Sequence, residues 1–349
     1  MNEFRYQPLY DEWVIIAPNR VRRPERQSGE ESPRATEMTD PFVTGSESKT
    51  TGEIYAIREK PSIAASWNTR VFANKFPLLN LETSLVRSSF GAYASIGAFG
   101  AHEMVIDHQK PNRHLCSFTT QEFKNLMMTF RDRISALSQD QRIASIMAFK
   151  NQGAKSGNTI PHSHSQIVAL PFIAPRLAKL IDSSRDHYEK SERCLTCDII
   201  RAEENEKTRV LMRNRSFIAF APYAPRYEFE VWIAPIIHSS NFAQLTRDAL
   251  GDLGEALEWC AKRLGIALEM PDINLLVFAE PPKRSHVRSD YFHHFDRFFH
   301  WHIELLPRIK SLGGFEAESG VYVNPIAPEE YALYLKEIRM VERNKKERK

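Results

Sequence analysis

Apolar residues recur along this chain at two spacings. Between about Thr120 and Leu137, the residues Phe123, Leu126, Met127, Phe130 and Ile134 fall on one face of a helical period and predict an amphipathic helix. Leu250, Leu253, Leu257 and Ala261 predict a second helix, from about Leu245 to Leu264. Each is flanked by apolar strand-like runs, residues 102–107 and 143–150 around the first and residues 229–235 and 273–279 around the second. The order of features repeats. Arg70-Val71-Phe72-Ala73-Asn74-Lys75-Phe76-Pro77 has its counterpart in Arg215-Ser216-Phe217-Ile218-Ala219-Phe220-Ala221-Pro222, and Glu103-Met104-Val105-Ile106 in Glu230-Val231-Trp232-Ile233. Each half closes on alternating histidines, His162-Ser163-His164 and His300-Trp301-His302. This predicts an internal duplication in which each copy is an antiparallel, strand-rich sheet packed by one long helix, an α+β unit. The two halves are placed at residues 1–175 and 176–349.

Two stretches fall outside this pattern. Residues 26–52 are rich in Ser, Thr, Glu, Pro and Gly and predict a mobile surface loop, since they bury too little to offset their ordering entropy. Residues 339–349 are mostly charged and predict a solvated helix end.

Composition removes several functions. Forty-seven basic against 44 acidic residues give a net charge of +3, which lacks the excess of a dedicated nucleic-acid binder. No apolar run reaches the ~18–20 residues that span a bilayer. Met1-Asn2-Glu3-Phe4-Arg5-Tyr6 lacks the apolar core of a signal peptide. Four cysteines in 349 residues are too few for a disulfide framework and point to a reducing cytoplasm. The expectation is a cytoplasmic protein with neither a membrane nor a nucleic-acid partner.

Two constellations carry chemistry. His162-Ser163-His164-Ser165-Gln166-Ile167 opens an apolar strand, so alternate side chains, His162, His164 and Gln166, can share a face. Ahead of it runs Asn151-Gln152-Gly153-Ala154-Lys155-Ser156-Gly157-Asn158-Thr159, small and polar, whose backbone amides can approach a phosphate. A neutral imidazole beside an amide side chain and such a loop suits attack on phosphorus. The plainer alternative is two solvent-exposed histidines on a strand edge. Cys194-Leu195-Thr196-Cys197 is either a redox pair or half of a tetrahedral zinc site. The mixed charges around it, Glu189, Lys190, Glu192, Arg193 and Asp198, mark no reactive thiolate, so zinc is preferred. His238 and either His300 or His302 are candidates for the remaining ligands. Cys116 and Cys260 have no such company, and Cys260 reads as buried packing.

The His162-Ser163-His164-Ser165-Gln166 segment with its Gly-rich lead resembles the active-site signature of the galactose-1-phosphate uridylyltransferase family, in the histidine-triad superfamily. The likeness extends through Trp13-Val14-Ile15-Ile16-Ala17-Pro18-Asn19-Arg20-Val21-Arg22-Arg23-Pro24, Phe72-Ala73-Asn74-Lys75-Phe76-Pro77, Phe299-His300-Trp301-His302-Ile303-Glu304, Gly314-Phe315-Glu316 and Tyr322-Val323-Asn324-Pro325. The resemblance implies a duplicated histidine-triad fold. It implies His164 as the nucleophile that takes the nucleotidyl group and Gln166 as the holder of a non-bridging phosphate oxygen. Asn151 and Gly157, Asn158 and Thr159 would line the phosphates. Arg20, Arg23, Asn74 and Phe76 would contact the nucleotide or its phosphates, and Lys310 and Glu316 the sugar phosphate. Zinc would sit on Cys194, Cys197, His238 and His300. Related chains with a further zinc site carry two cysteines where this one has Asp40 and Val43, alongside histidines matching His114 and His162. That first site is expected to be lost, with His162 held by a hydrogen bond instead.

The function so implied is ping-pong transfer of a nucleotidyl group from a nucleoside diphosphate sugar, through a nucleotidyl-histidine, to a sugar 1-phosphate. UDP-glucose:galactose-1-phosphate uridylyl transfer is the first expectation, and an ADP-glucose phosphorylase of the same family is the alternative. A non-catalytic nucleotide sensor is a third reading, set against the presence of both His164 and Gln166. The resemblance also implies a homodimer in which one subunit contributes to its neighbour's sugar-phosphate site.

Overall fold

The computed structural model describes residues 2–18, 40–60, 63, 67–283 and 289–338. Two short strands, β1 (Glu3–Gln7) and β2 (Glu12–Ile16), lead into β3 (Glu53–Arg58) and β4 (Trp67–Ala73). A hairpin, β5 (Arg87–Phe90) and β6 (Tyr93–Ile96), precedes β7 (Ala101–Ile106). Helix α1 (Thr120–Leu137) then connects to β8 (Ser145–Gln152) and β9 (His164–Leu170). Helices α2 (Pro175–Ser191) and α3 (Leu195–Glu206) lead to β10 (Val210–Arg213), β11 (Phe217–Phe220) and β12 (Val231–Pro235). Helix α4 (Arg247–Ala267) connects to β13 (Ile273–Phe278). After the single turn α5 (Phe295–Phe298) come β14 (His302–Pro307), α6 (Gly314–Ser319), β15 (Tyr322–Asn324) and α7 (Pro328–Glu337).

The α+β expectation holds, and the two antiparallel halves are continuous. They join edge to edge in one ten-stranded antiparallel sheet, ordered β10-β11-β12-β14-β13-β8-β9-β7-β4-β3. The seam is β8 against β13, with Leu276 opposite Phe149 and Asn274 opposite Asn151. Each half would otherwise expose a strand edge there, and pairing satisfies both sets of backbone groups. Reading outward from the seam, β8-β9-β7-β4-β3 and β13-β14-β12-β11-β10 follow the same internal order, and α1 and α4 occupy equivalent crossovers. The repeat seen in the sequence is therefore a repeat of topology.

Both long helices pack on one face of the sheet. Phe123, Leu126, Met127, Phe130 and Ile134 of α1 and Leu250, Leu253, Leu257 and Ala261 of α4 belong to one continuous core with Val105, Ile167, Leu275 and Ile303 of the strands. Thr119 and Glu122 form a reciprocal capping box that fixes where α1 begins. On the opposite face a smaller apolar cluster gathers Trp67, Phe72, Met104 and Ile106, with Phe42 packed against it. Strand alternation divides these two sets, and His164 and Gln166 lie on the second face, opposite Ile106 and Met104.

Residues 40–52 are irregular, as the sequence suggests, but they are tied down. Asp40 is buried against His162, and Glu47 accepts a hydrogen bond from the Trp67 indole at 3.0 Å. Residues 26–39 of the expected loop and the charged tail 339–349 lie outside the described residues. The pattern did not foresee that β1 and β2 form a small sheet with β15. That sheet carries the N-terminal segment onto the second half, where Arg5 meets Glu329 at 2.9 Å.

Candidate active site

Residues 153–163 connect β8 to β9 and so lie beside the strand end that bears His164. Gly153 and Gly157 adopt φ +86° and +90°, a region that L side chains enter only at a cost. A Cβ on Gly153 would also collide with Asp272. The two glycines are thus required by the turn itself. Asn151 accepts a hydrogen bond from the Asn274 amide at 2.8 Å across the seam, and Asn158 accepts one from the Ile160 N–H at 2.9 Å. Gly157 and Thr159 are exposed.

His164 is buried at 3% exposure, and its Nδ1 lies 2.8 Å from the carbonyl of His162. A carbonyl can only accept, so Nδ1 carries the proton and Nε2 holds the lone pair. Burial pushes the imidazole pKa below its ordinary value, with the nearby Lys150 charge acting the same way, and the carbonyl contact opposes them. The ring is therefore neutral at neutral pH, with the lone pair on Nε2. Under the strand, Lys150 is fully buried. It donates to Asp107 at 2.6 Å, to the Ser163 hydroxyl at 3.0 Å and to the His164 carbonyl at 3.1 Å. This ion pair, absent from the sequence reading, anchors the backbone on either side of the nucleophile candidate. Its signal was available: a lysine in the apolar run Ile146-Met147-Ala148-Phe149-Lys150, and an aspartate ending another.

Gln166 accepts a hydrogen bond from His102 Nε2 at 2.8 Å. His102 and Asn74 lie in contact, with Asn74 Nδ2 3.2 Å from His102 Nε2, so the structure brings Asn74 and Gln166 to one place. Phe76 follows on an exposed loop at 82% exposure. Arg20 and Arg23 lie outside the described residues. Lys310 and Glu316 line one shallow pocket with Arg226, Glu228 and Tyr322, and Lys310 meets Glu228 at 2.8 Å. No residue of the His164 strand lines that pocket.

His162 sits just ahead of β9 and is engaged on both ring nitrogens. Nε2 donates to the His108 carbonyl at 2.7 Å, and Nδ1 meets the Asp40 carboxyl at 2.6 Å. His114 does not join them. Its Nδ1 accepts from the Cys116 N–H at 3.1 Å, and burial, aided by Lys150, lowers its pKa to about 4. Val43 supplies no ligand atom.

At the other end of the sheet, Cys194, Cys197, His238 and His300 place one ligand atom each within 4.8 Å of all the others. The thiol of Cys197 lies 3.4 Å from Nδ1 of both His238 and His300, and that of Cys194 lies 3.9 Å from His300. The sulfur–nitrogen edge of a tetrahedral Cys2His2 zinc site is roughly 3.6 Å, from the usual Zn–S and Zn–N bond lengths. His238 Nε2 donates to the Asp296 carbonyl at 2.9 Å, which leaves Nδ1 as the coordinating nitrogen. The Cys194 contact, with those of the His238 and His300 rings, pushes the Cys197 thiol down toward thiolate. The residues fit a metal ion. His302 is not among them: its ring is turned into a buried network with Tyr10 and Glu304.

A duplicated α+β sheet thus holds a desolvated histidine of fixed tautomer beside a Gly-rich strand lead. Known proteins resemble the chain along nearly its whole length. Residues 1–174 match the family model for the galactose-1-phosphate uridyl transferase N-terminal domain. An ADP-glucose phosphorylase from Arabidopsis thaliana is 31% identical over 96% of this chain and 93% of its own. A galactose-1-phosphate uridylyltransferase from Thermotoga maritima is 26% identical over 97% and 98%. The crystal structure of an Arabidopsis thaliana ADP-glucose phosphorylase with bound ADP-glucose superposes with a TM-score of 0.81 at 28% identity, covering 97% of this chain and all of that one. The chain belongs to the galactose-1-phosphate uridylyltransferase family. Among the described residues, no helix is long and apolar enough to cross a membrane.

Proposed function

We propose that the protein transfers a nucleotidyl group from a nucleoside diphosphate sugar to a phosphate acceptor through a covalent intermediate on His164. The observation that carries this reading is the His164–His162 carbonyl contact, which commits Nδ1 and leaves a neutral Nε2 lone pair. In the first step Nε2 attacks the α-phosphorus, a P–N bond forms, and the P–O bond to the sugar 1-phosphate breaks with its electron pair leaving on that oxygen. In the second, an acceptor phosphate oxygen attacks the same phosphorus and the P–N bond breaks, returning the pair to Nε2. The protein's work is positioning and stabilising charge. The Gln166 and Asn74 amides and the backbone of the turn at residues 153–159 supply donors. Lys310 and Glu316 are assigned to the sugar phosphate, and, as the resemblance implies, they would serve the neighbouring subunit's site in a homodimer.

Between the two chemistries, the higher identity with the ADP-glucose phosphorylase favours adenylyl transfer from ADP-glucose to inorganic phosphate over the uridylyl transfer first expected. Parallel assays with ADP-glucose plus phosphate and with UDP-glucose plus galactose 1-phosphate decide between them. Inertness toward both pairs overturns the proposal.

Zinc on Cys194, Cys197, His238 and His300 would be structural, since four protein ligands leave no position for a reacting water. It would tie the start of α3 and the segment after β12 to the segment that leads into β14. Metal analysis is expected to find about one zinc per chain, in line with a closed four-ligand site. A value near two would restore the site at Asp40, His114 and His162.

A further inference from the structure

We infer that His102 is a positioning residue for Gln166, dictating which end of that carboxamide faces the phosphate; the inference rests on the transfer chemistry proposed above. His102 is 7% exposed and lies on β7, opposite Val168 of β9. Its Nδ1 receives the Leu78 N–H at 3.1 Å. A backbone N–H can only donate, so Nδ1 holds the lone pair and the proton of the neutral ring resides on Nε2. That proton points at Gln166 Oε1, 2.8 Å away. Turning the Gln166 amide over would set N–H against N–H, a clash of donors in a partly buried place. The oxygen end is thereby committed to His102, and the NH2 end is the one left for a phosphate oxygen.

Asn74 is held differently, by its own backbone contacts. Its Oδ1 accepts the Phe76 N–H at 2.9 Å, and its backbone N–H donates to the His102 carbonyl at 2.9 Å. Its NH2 group, 3.2 Å from His102 Nε2, faces a donor in this tautomer and does not bond to it. Both carboxamides thus spend their oxygens inside the protein. A phosphate in reach of them meets donors from each. Either amide left to rotate would offer an oxygen to an anion about half the time, with repulsion in place of a hydrogen bond.

Two measurements test this, one of which needs no turnover. The 15N spectrum of the imidazoles in the free protein is expected to show His102 protonated at Nε2 and bare at Nδ1. The opposite tautomer or an imidazolium at neutral pH overturns the inference, whatever the enzyme's activity. In turnover, His102→Ala is expected to lower kcat by about 10–100-fold, the usual cost of losing a group that orients a site residue. The donor KM should move far less. His102→Gln, whose amide can accept from Leu78 and donate to Gln166, is expected to recover most of that loss. Adding His102→Ala to Gln166→Ala should cost little more than Gln166→Ala alone, because the first acts through the second. Losses that multiply, or a glutamine that fails to rescue while unfolding at the parent temperature, contradict it. Absence of any nucleotidyl-His164 in the parent would instead remove the proposed function and leave the tautomer result standing.

Discussion

The duplication offers its own control, because the two halves place a histidine and a second polar residue at equivalent points. His164 and Gln166 open β9, and His302 and Glu304 open β14, each strand following the same route through its half of the sheet. The outcomes differ. His164 spends one nitrogen on a backbone carbonyl and keeps the other. His302 is 1% exposed, stacked on Phe278 with ring centres 4.9 Å apart, and within 3.0 Å of the Tyr10 hydroxyl. Tyr10 in turn donates to Glu304 at 2.8 Å. Arg226 and Arg176 donate to the Glu304 carboxylate at 2.9 and 3.2 Å. Burial alone would push the Glu304 pKa up, but the Arg176 charge and the hydrogen bonds outweigh it and hold the group ionised. In its neighbour Glu230 burial prevails, with the Glu304 charge adding to it, and its pKa is pushed up to about 8. The N-terminal segment, by delivering Tyr10, has filled the second copy's position with a buried polar network. A shared strand pattern supplies the geometry for chemistry, and what covers it decides whether chemistry follows.

The sharpest way to break this comparison is to remove each ring in turn. His164→Ala is expected to lower transfer by on the order of 10⁴-fold or more, as loss of a nucleophile does elsewhere. His302→Ala should leave transfer per folded molecule near the parent value and cost about 1–3 kcal/mol in unfolding free energy, since it opens a void beside Phe278 and takes one partner from the Tyr10–Glu304 network. Comparable losses of activity would erase the distinction. Next in size, Gln166→Ala should slow turnover by about 10²–10³-fold, the loss typical of one oxyanion donor. Glu304→Gln should show itself in the melting temperature and not in kcat. Tyr10→Phe, a smaller change, is expected to cost about 1 kcal/mol through the lost hydroxyl contacts to His302 and Glu304, read by denaturant unfolding. The least effect concerns pH. Transfer needs neutral His164, protonation removes the Nε2 lone pair, and burial lowers this pKa. The acid limb of kcat/KM for the first substrate should therefore fall at a pH below the ordinary histidine value of 6.5. A limb above it contradicts the burial argument.

Much of this was legible in the residues because it depends on local periodicity. The first long helix runs from Thr120 to Leu137, where its apolar stripe places it, and the second from Arg247 to Ala267, shifted by a few residues at its ends. The Cys194, Cys197, His238 and His300 set comes together as the family pattern implies. What escaped are contacts between residues distant in the chain. The β8–β13 seam joins two edges more than a hundred residues apart, and nothing in either strand's alternation names its partner. Tyr10 and His302 are separated by 292 positions. Helices α2 and α3 carry weak start signals: neither has a side-chain cap, and the residue ahead of α3 is Cys194, not a usual capping residue. His102 was visible only as a polar residue in an apolar run, and its meaning depends on Leu78 and Gln166 arriving from two other segments.

The central claim is that one imidazole of this chain carries a nucleotidyl group between two substrates. Mixing the protein with ADP-glucose, and separately with UDP-glucose, in the absence of acceptor, followed by proteolysis above neutral pH and peptide mass spectrometry, tests it most directly. The account predicts a nucleotidyl adduct on the peptide containing His164, lost when phosphate or galactose 1-phosphate is added. No adduct with either donor, or an adduct on His302, would contradict it.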